Sequence, residues 1–147
     1  MLINRREAAT TLLSLTQVNP VSVSGGTLRP IEPTQASYAS AFLVERATRL
    51  LFVSGQTPTD REGRAPKGFG AQARLAWRNV ETQLRLADMT LANLAKVTIF
   101  LGDRLYRAEN TEIRRQILGP LSPALTVIIV DIFDEDWLIE IEAIACA

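Results

Sequence analysis

The sequence predicts a two-layer sandwich of the α+β or α/β class, with two helices on one face of a β-sheet. Three observations lead to this expectation. From residue 37 onward, apolar runs and amphipathic stretches follow one another in the order β-β-α-β-α-β-β. Each helical stretch lies between two strands, as a crossover connection does. The last strand is nearly apolar on both faces, although two helices can cover only one face of a sheet.

The first two strands are predicted from the short apolar runs "YASAFLVE" and "RLLFVSGQ", residues 38–45 and 49–56. Only "RAT" separates them, so we expect a hairpin or a pair of adjacent strands. The segment "TDREGR" follows, with Asp60 and Gly63 placed to begin and end a type I turn.

The two helices are predicted from apolar residues that recur at helical spacing. The first covers "AQARLAWRNVETQLRLADM", residues 71–89, and the second covers "YRAENTEIRRQILG", residues 106–119. Gly119 and Pro120 end the second helix. The apolar stripe of the first helix consists of Ala73, Ala76, Trp77, Val80, Leu84 and Ala87.

The remaining strands are "LAKVTIFLGD", "ALTVIIVDIF" and "WLIEIEAIACA", the last two joined by the acidic turn "DEDW". In the closing strand, alternation places Ile139 and Ile141 on one face and Glu140 and Glu142 on the other. A mixed apolar and acidic face without a covering helix requires either a partner subunit or a helix from the N-terminal residues.

Residues 1–33 are predicted to be an N-terminal extension that packs on a domain formed by residues 34–147. Residues 4–16 have a loosely helical pattern, and the following stretch is rich in proline and glycine. Polar residues interrupt the apolar part and no small-residue cleavage site follows, which disfavours a secretory signal. We therefore expect a cytoplasmic protein with no membrane partner.

Composition excludes several kinds of chemistry. The 147 residues contain 16 basic and 16 acidic side chains, no histidine and one cysteine. The balanced charge argues against a dedicated nucleic-acid binder. Without histidine or a cysteine cluster we expect no metal site and no cofactor. Cys146 has no histidine to activate it and is expected to pack as a small apolar residue.

Two features of the strands allow both a functional and a structural interpretation. Glu140 and Glu142 could act as a general acid and base in a cleft, or could be rim carboxylates that face solvent. Gly55, inside a strand pattern, could let a ligand approach the backbone, or could mark a simple bulge.

Taken together, "LFVSGQTPTDREGR", "LRLADMTLANLAKVTIFLGD" and the terminal "LIEIEAIA" resemble the RidA/YjgF family of enamine/imine deaminases. The resemblance extends from about Tyr38 to the C-terminus. It implies the α+β class: a chorismate-mutase-like fold, with two helices on one face of a mixed sheet. It also implies a homotrimer that binds a small metabolite in clefts between subunits and so covers the open sheet face. Some members of the family have been described as translation inhibitors or ribonucleases.

The resemblance also implies site residues. Tyr38, Ser54, Gly55 and Asn110 are similar to residues that line the family's cleft, and Glu142 is similar to the carboxylate that handles the catalytic water. In the family, an arginine in a Pro-Ala-Arg-Ser/Thr motif holds the substrate carboxylate. The motif here consists of Pro123, Ala124, Leu125 and Thr126, so leucine occupies the position of the arginine, with Thr126 beside it.

The absence of that arginine leaves two hypotheses open. Leucine offers nothing polar, so a standard 2-aminoacrylate deaminase is not expected. The cleft could bind another small molecule and hydrolyse an imine, enamine or related metabolite. Alternatively the trimer could be a non-catalytic regulatory or interaction protein, similar to the translation inhibitors or ribonucleases of the family.

Overall fold

A mixed sheet of seven strands carries two helices in the computed structural model, which describes residues 21–23 and 26–147. The strands run in the order β1-β2-β3-β6-β5-β7-β4, with parallel pairing of β6 to both β3 and β5 and antiparallel pairing elsewhere. The predicted α+β class is confirmed. The elements are β1 (Val21–Val23), β2 (Gly26–Pro33), β3 (Ala39–Glu45), β4 (Leu50–Gln56), α1 (Phe69–Leu86), β5 (Leu94–Leu101), α2 (Arg107–Leu118), β6 (Ala124–Ile129) and β7 (Ile139–Cys146).

The main hydrophobic core lies between the helices and one face of the sheet. The apolar stripe of α1 packs there, with Trp77 and Leu84 at 1% and 0% exposure. Alternate residues of the central strands, such as Ile99 in β5 and Ile141 in β7, are fully buried beneath it. This alternation turns the apolar side chains of these strands toward the helices, and no helix among the described residues covers the other face.

The expected hairpin between the first two predicted strands is wrong. β3 pairs with β2 and contacts β6, whereas β4 pairs with β7 at the other end of the sheet order. β2 was not predicted because Pro30 and Pro33 indicate a break in a strand. β1 pairs only with residues 26–28 of β2, so both prolines lie in a segment that has a single strand neighbour among the described residues. Proline is tolerated at such an edge because no hydrogen bond to a second neighbour is lost.

The strand β2 lies within the predicted N-terminal extension, residues 1–33. Residues 26–33 pair with β3 and so contribute a strand to the sheet order. The boundary predicted at residue 33 therefore falls at the end of a strand. The helical pattern of residues 4–16 lies outside the described residues.

The β2–β3 ribbon leaves the plane of the sheet. β3 has one register partner in β6, the pair Ala39 and Ala124. Beyond that pair, Phe42 and Val44 pack against Ala95 in β5 and Cys146 in β7. The ribbon thus lies over one end of the open sheet face, which lets a four-residue connection join β3 to β4.

Cys146 is expected to be unreactive in the native protein. The residue is 2% exposed, and burial raises the pKa of its thiol. Because only the thiolate reacts with iodoacetamide, native protein should be alkylated at least about tenfold more slowly than urea-unfolded protein at pH 8. Mass spectrometry of timed samples measures both rates. Equal rates would mean that the second cluster around Leu28, Ala95 and Cys146 is not packed as described.

The open face of the sheet presents large apolar side chains to solvent. Phe52 and Leu50 in β4 are 69% and 57% exposed, and Ile128 in β6 is 42% exposed. Isolated exposed apolar residues are ordinary, but several on one sheet face are typical of an interaction surface. This agrees with the open face expected from the sequence.

Candidate functional site

A β-bulge in β4 forms the centre of the first candidate group. Val53 pairs with Ala143 and Gln56 with Ile141, so Ser54 and Gly55 together oppose one residue of β7. The opposing residue is Glu142. A bulge of this kind bends the strand and redirects its side chains, and it is often found next to a functional site.

Gly55 allows a carboxylate to lie against the backbone of the bulge. A Cβ atom at this position would overlap the Oε1 atom of Glu140 and would lie 2.8 Å from its Cδ atom. The absence of a Cβ atom at Gly55, rather than a special backbone angle, allows this close approach. Glu140 is half-buried and Glu142 is exposed.

The family resemblance implies Glu142 as the catalytic carboxylate, and the structure adds Glu140 as the one in contact with Gly55. Alternation already placed both glutamates on one face, but it contained no signal that chose between them. The catalytic role of Glu142 stays a prediction. Glu140 is the residue whose position depends on the bulge.

The second candidate group lies where β6 begins beneath α2. Asn110 and Arg114 are one helical turn apart on α2 and are 2% and 3% exposed. The Nη2 atom of Arg114 donates a hydrogen bond of 2.9 Å to the carbonyl oxygen of Ala36. Burial lowers the pKa of Arg114, and the neighbouring Tyr38 opposes this effect. Arg114 was not predicted from the sequence, because an arginine in an amphipathic helix is ordinarily a solvent-facing residue.

Leu125 and Thr126 lie on opposite faces of β6. Leu125 is in register with the buried Val97 and packs against the main core on the helix-covered face. Thr126 is in register with Thr98 on the open face, where its hydroxyl accepts a hydrogen bond from the Nζ atom of Lys96. A ligand therefore cannot contact both side chains from one face of the sheet. Their roles in ligand binding stay predictions.

One subunit does not bring the two groups together. The glutamates and the bulge lie on β7 and β4, whereas Leu125 lies on β6 and Tyr38 immediately precedes β3. β5 and β7 separate β6 from β4, which places these strands about 14 Å apart. A small ligand cannot contact both groups within a single chain.

Gln72 holds the chain that leads into β7. Its amide nitrogen donates to the carbonyl oxygens of Pro66 and Asp136, at 3.0 and 2.8 Å, and its amide oxygen accepts from the backbone N–H of Leu138 at 2.8 Å. Gln72 is 3% exposed. These bonds fix the backbone two residues before Glu140. Nothing in the sequence singled out this glutamine.

Two structural observations concern ions and membranes. Among residues 21–23 and 26–147, no three histidine, cysteine or acidic side chains are grouped so that they could hold a metal ion. In the same residues, no helix has the length and apolar character needed to cross a bilayer.

Comparison with known proteins identifies the family. The family model described as Endoribonuclease L-PSP matches residues 30–147. A RutC family protein of Pyrococcus horikoshii is 34% identical over 119 residues, which cover 80% of this chain and 89% of the relative. The chain belongs to the RidA/YjgF family. The mitochondrial protein MMF1 of Saccharomyces cerevisiae is a RidA/YjgF relative with 29% identity over 132 residues, covering 89% of this chain and 86% of its own.

Solved structures agree with this RidA/YjgF membership. A Rid-family protein of Yersinia pestis superposes with a TM-score of 0.72 at 22% identity, covering 84% of this chain and all of its own. This similarity supports the fold alone. Escherichia coli TdcF, solved with bound serine, has a TM-score of 0.63 at 26% identity and covers 78% of this chain and 95% of its own.

Proposed function

We propose that this RidA/YjgF protein binds a small metabolite in a cleft between the subunits of a homotrimer. The observation that carries the proposal is the contact between the Glu140 carboxylate and the backbone of Gly55 at the β4 bulge. A half-buried carboxylate beside exposed backbone can accept a proton from a bound molecule while backbone groups hold that molecule. The bulge lies on the open side of a sheet edge, where a second subunit has access.

The homotrimer is supported by two features of the single chain. Large apolar side chains, including Phe52 and Ile128, are exposed on the face without helices. The two groups of candidate residues are also too far apart to act on one small ligand within a subunit. Analytical ultracentrifugation at micromolar concentration should report three times the chain mass of 16.2 kDa. A stable monomer at that concentration would contradict the proposal.

The chemistry that fits the site is hydrolysis of an imine or enamine, or proton transfer on a related carbonyl compound. In hydrolysis, a water molecule loses a proton to a β7 carboxylate as its oxygen bonds to the imine carbon. The carboxylate gives that proton to the nitrogen, which forms a carbinolamine. It then carries the proton of the new hydroxyl to the amine as the carbon–nitrogen bond breaks, and ammonia and a carbonyl product leave. Either Glu140 or Glu142 could take this role, and Glu142 is the residue that the family resemblance implies.

The ligand class is supported by a relative. TdcF is a family member solved with bound serine, a small molecule that carries a carboxylate. We infer a ligand of similar size here. A standard 2-aminoacrylate deaminase is not proposed, because Leu125 is half-buried against the apolar core and offers no charge to a carboxylate.

The substitution Gly55→Ala tests the contact that carries this proposal. The new Cβ atom must displace the Glu140 carboxylate, whose flexible side chain can move, so the free energy of unfolding should change by no more than about 1 kcal/mol. Affinity for 2-ketobutyrate or its neutral amide, measured by calorimetry, should fall at least about tenfold. Gly70→Ala is the matched control. Gly70 lies in α1, away from the bulge, and a Cβ atom there would also meet a carboxylate, 2.7 Å from an oxygen of Glu109 in α2. Equal ligand affinity in Gly55→Ala and Gly70→Ala would show that the β4 bulge does not contact the ligand.

The alternative is a regulatory or interaction protein on the same scaffold, since the matching family model is described as an endoribonuclease. The balanced charge of 16 basic and 16 acidic residues does not favour RNA binding. The test is filter binding to single-stranded RNA at 150 mM salt. A submicromolar affinity would favour this alternative. A cytoplasmic location stays a prediction, because the relatives include mitochondrial proteins.

A further inference from the structure

Arg114 is a buried cation with an unused hydrogen-bond donor. The residue is 3% exposed, and its Nε atom has no hydrogen-bond partner in the part of the chain that the structure describes. Within residues 21–23 and 26–147 no carboxylate lies within ion-pair distance of its guanidinium. An arginine side chain stays charged in proteins, and a buried charge without a counter-ion is strongly unfavourable. The buried guanidinium of Arg114 therefore requires an anion that no described carboxylate supplies.

The side chains around Arg114 belong to the second candidate group. Asn110 lies one turn earlier on the same side of α2, and Tyr38 is close enough to influence the guanidinium. Leu125, which occupies the family's arginine position, packs against the core cluster to which α2 contributes Ile113. Arg114 and Leu125 are therefore both on the helix-covered side of the sheet.

The turn that covers Arg114 is held in a strained conformation. Ser37 has a φ of 55°, a left-handed value that side chains other than glycine rarely adopt. The turn is fastened to the end of α2 by two hydrogen bonds: Ser37 Oγ donates to the Gly119 carbonyl at 2.9 Å, and Arg114 donates to the Ala36 carbonyl at 2.9 Å. Opening the turn would relieve this strain and free a second donor of the guanidinium.

We propose that Arg114 is the carboxylate-binding residue of this protein and that it replaces, from α2, the arginine absent at Leu125. The inference rests on the proposed cleft. A carboxylate takes the place of the Ala36 carbonyl and accepts two parallel hydrogen bonds, one of them from the unused Nε–H. Arginine is suited to this task because its planar fork matches the two oxygens of a carboxylate. Asn110 and Tyr38 flank the bound group.

The direct test observes the Nε–H group of Arg114 by nuclear magnetic resonance. The signal is assigned by its loss in Arg114→Lys, a variant that retains the charge and a donor for Ala36. Addition of 2-ketobutyrate should shift this signal, whereas 2-oxobutanamide, which lacks the charge, should not. Inorganic phosphate at equal concentration should shift it less. A shift of equal size with phosphate would contradict a carboxylate site.

Calorimetric titration with 2-ketobutyrate supplies the second readout. Affinity should fall at least about tenfold in both Arg114→Lys and Arg114→Met. Arg115→Met is the matched control, because Arg115 is exposed and only forms a surface ion pair with Glu112. That variant should bind like the unchanged protein.

The outcomes separate this inference from the proposed cleft. Binding of 2-ketobutyrate that leaves the Arg114 signal unmoved and survives Arg114→Lys overturns the role of Arg114 and leaves the cleft intact. A shifted Arg114 signal together with unaltered affinity in Gly55→Ala supports Arg114 and contradicts the proposed cleft. An unmoved signal in a protein that does not bind the acid also overturns the inference, and the cleft is then judged by the binding of the neutral amide.

Discussion

Ammonia release from enzymatically generated 2-iminopropionate is expected to be far slower with this protein than with a relative that has the family's arginine. Loss of a charge-assisted pair between arginine and a substrate carboxylate costs about 2–5 kcal/mol. That free energy corresponds to roughly a 30- to 4,000-fold lower rate at equal enzyme concentration. Leu125 packs against the hydrophobic core and cannot replace the lost pair.

Arg114 does not restore this rate in our account. It extends from α2, so a carboxylate bound there holds the imine carbon in a different place from a carboxylate bound at β6. A coupled assay with an arginine-bearing relative as control measures both rates. Acceleration equal to that of the control would mean that a carboxylate at Arg114 presents the imine correctly to the β7 glutamates.

The substitution Leu125→Arg is expected to destabilise the protein and to change its ligand preference. The new side chain enters the helix-covered face at the edge of the core, and Arg114 on α2 carries the same charge. Burial of a charge and overfilling of an apolar site should lower the free energy of unfolding by ~1–3 kcal/mol. Affinity for 2-ketobutyrate should rise in the variant if the trimer is retained.

Combining Leu125→Arg with Arg114→Met refines that test. The double variant moves the arginine from the helix to the strand and removes the repulsion between the two guanidinium groups. It should recover about 1 kcal/mol or more of the lost stability, because neighbouring charges are not independent. Urea unfolding of the unchanged protein, the two single variants and the double variant gives the coupling energy between positions 114 and 125. Purely additive effects would show that positions 114 and 125 do not share one site.

The sequence predicted those parts of the fold that depend on periodicity. The alternation in β7 placed Ile139 and Ile141 in the core, and the helical spacing in α1 buried Trp77 and Leu84. It did not predict which strands pair. β3 and β4 are joined by four residues, but the β2–β3 ribbon crosses the open face, and that arrangement depends on contacts distant in the sequence.

For the candidate site, alternation placed both glutamates on one face. Motif resemblance implied Tyr38, Ser54, Gly55 and Asn110, whose roles stay predictions. Gly55 inside a strand pattern indicated a bulge or a close approach, but Glu140 as its neighbour was not predictable, because that contact depends on the register of β4 against β7. Arg114 could not be identified either, since its burial depends on the turn at residues 34–38, which precedes it by more than 70 residues.

A crystal structure of the protein with 2-ketobutyrate is the most direct test of a ligand cleft shared between subunits. The account predicts a trimer in which the ligand lies between Glu140 and Gly55 of one subunit and the Tyr38, Asn110 and Arg114 group of its neighbour. The ligand carboxylate should lie within 3.2 Å of the Arg114 guanidinium, as a hydrogen bond requires. A trimer that leaves the two groups on separate solvent-exposed surfaces, or a ligand bound away from both, would contradict it.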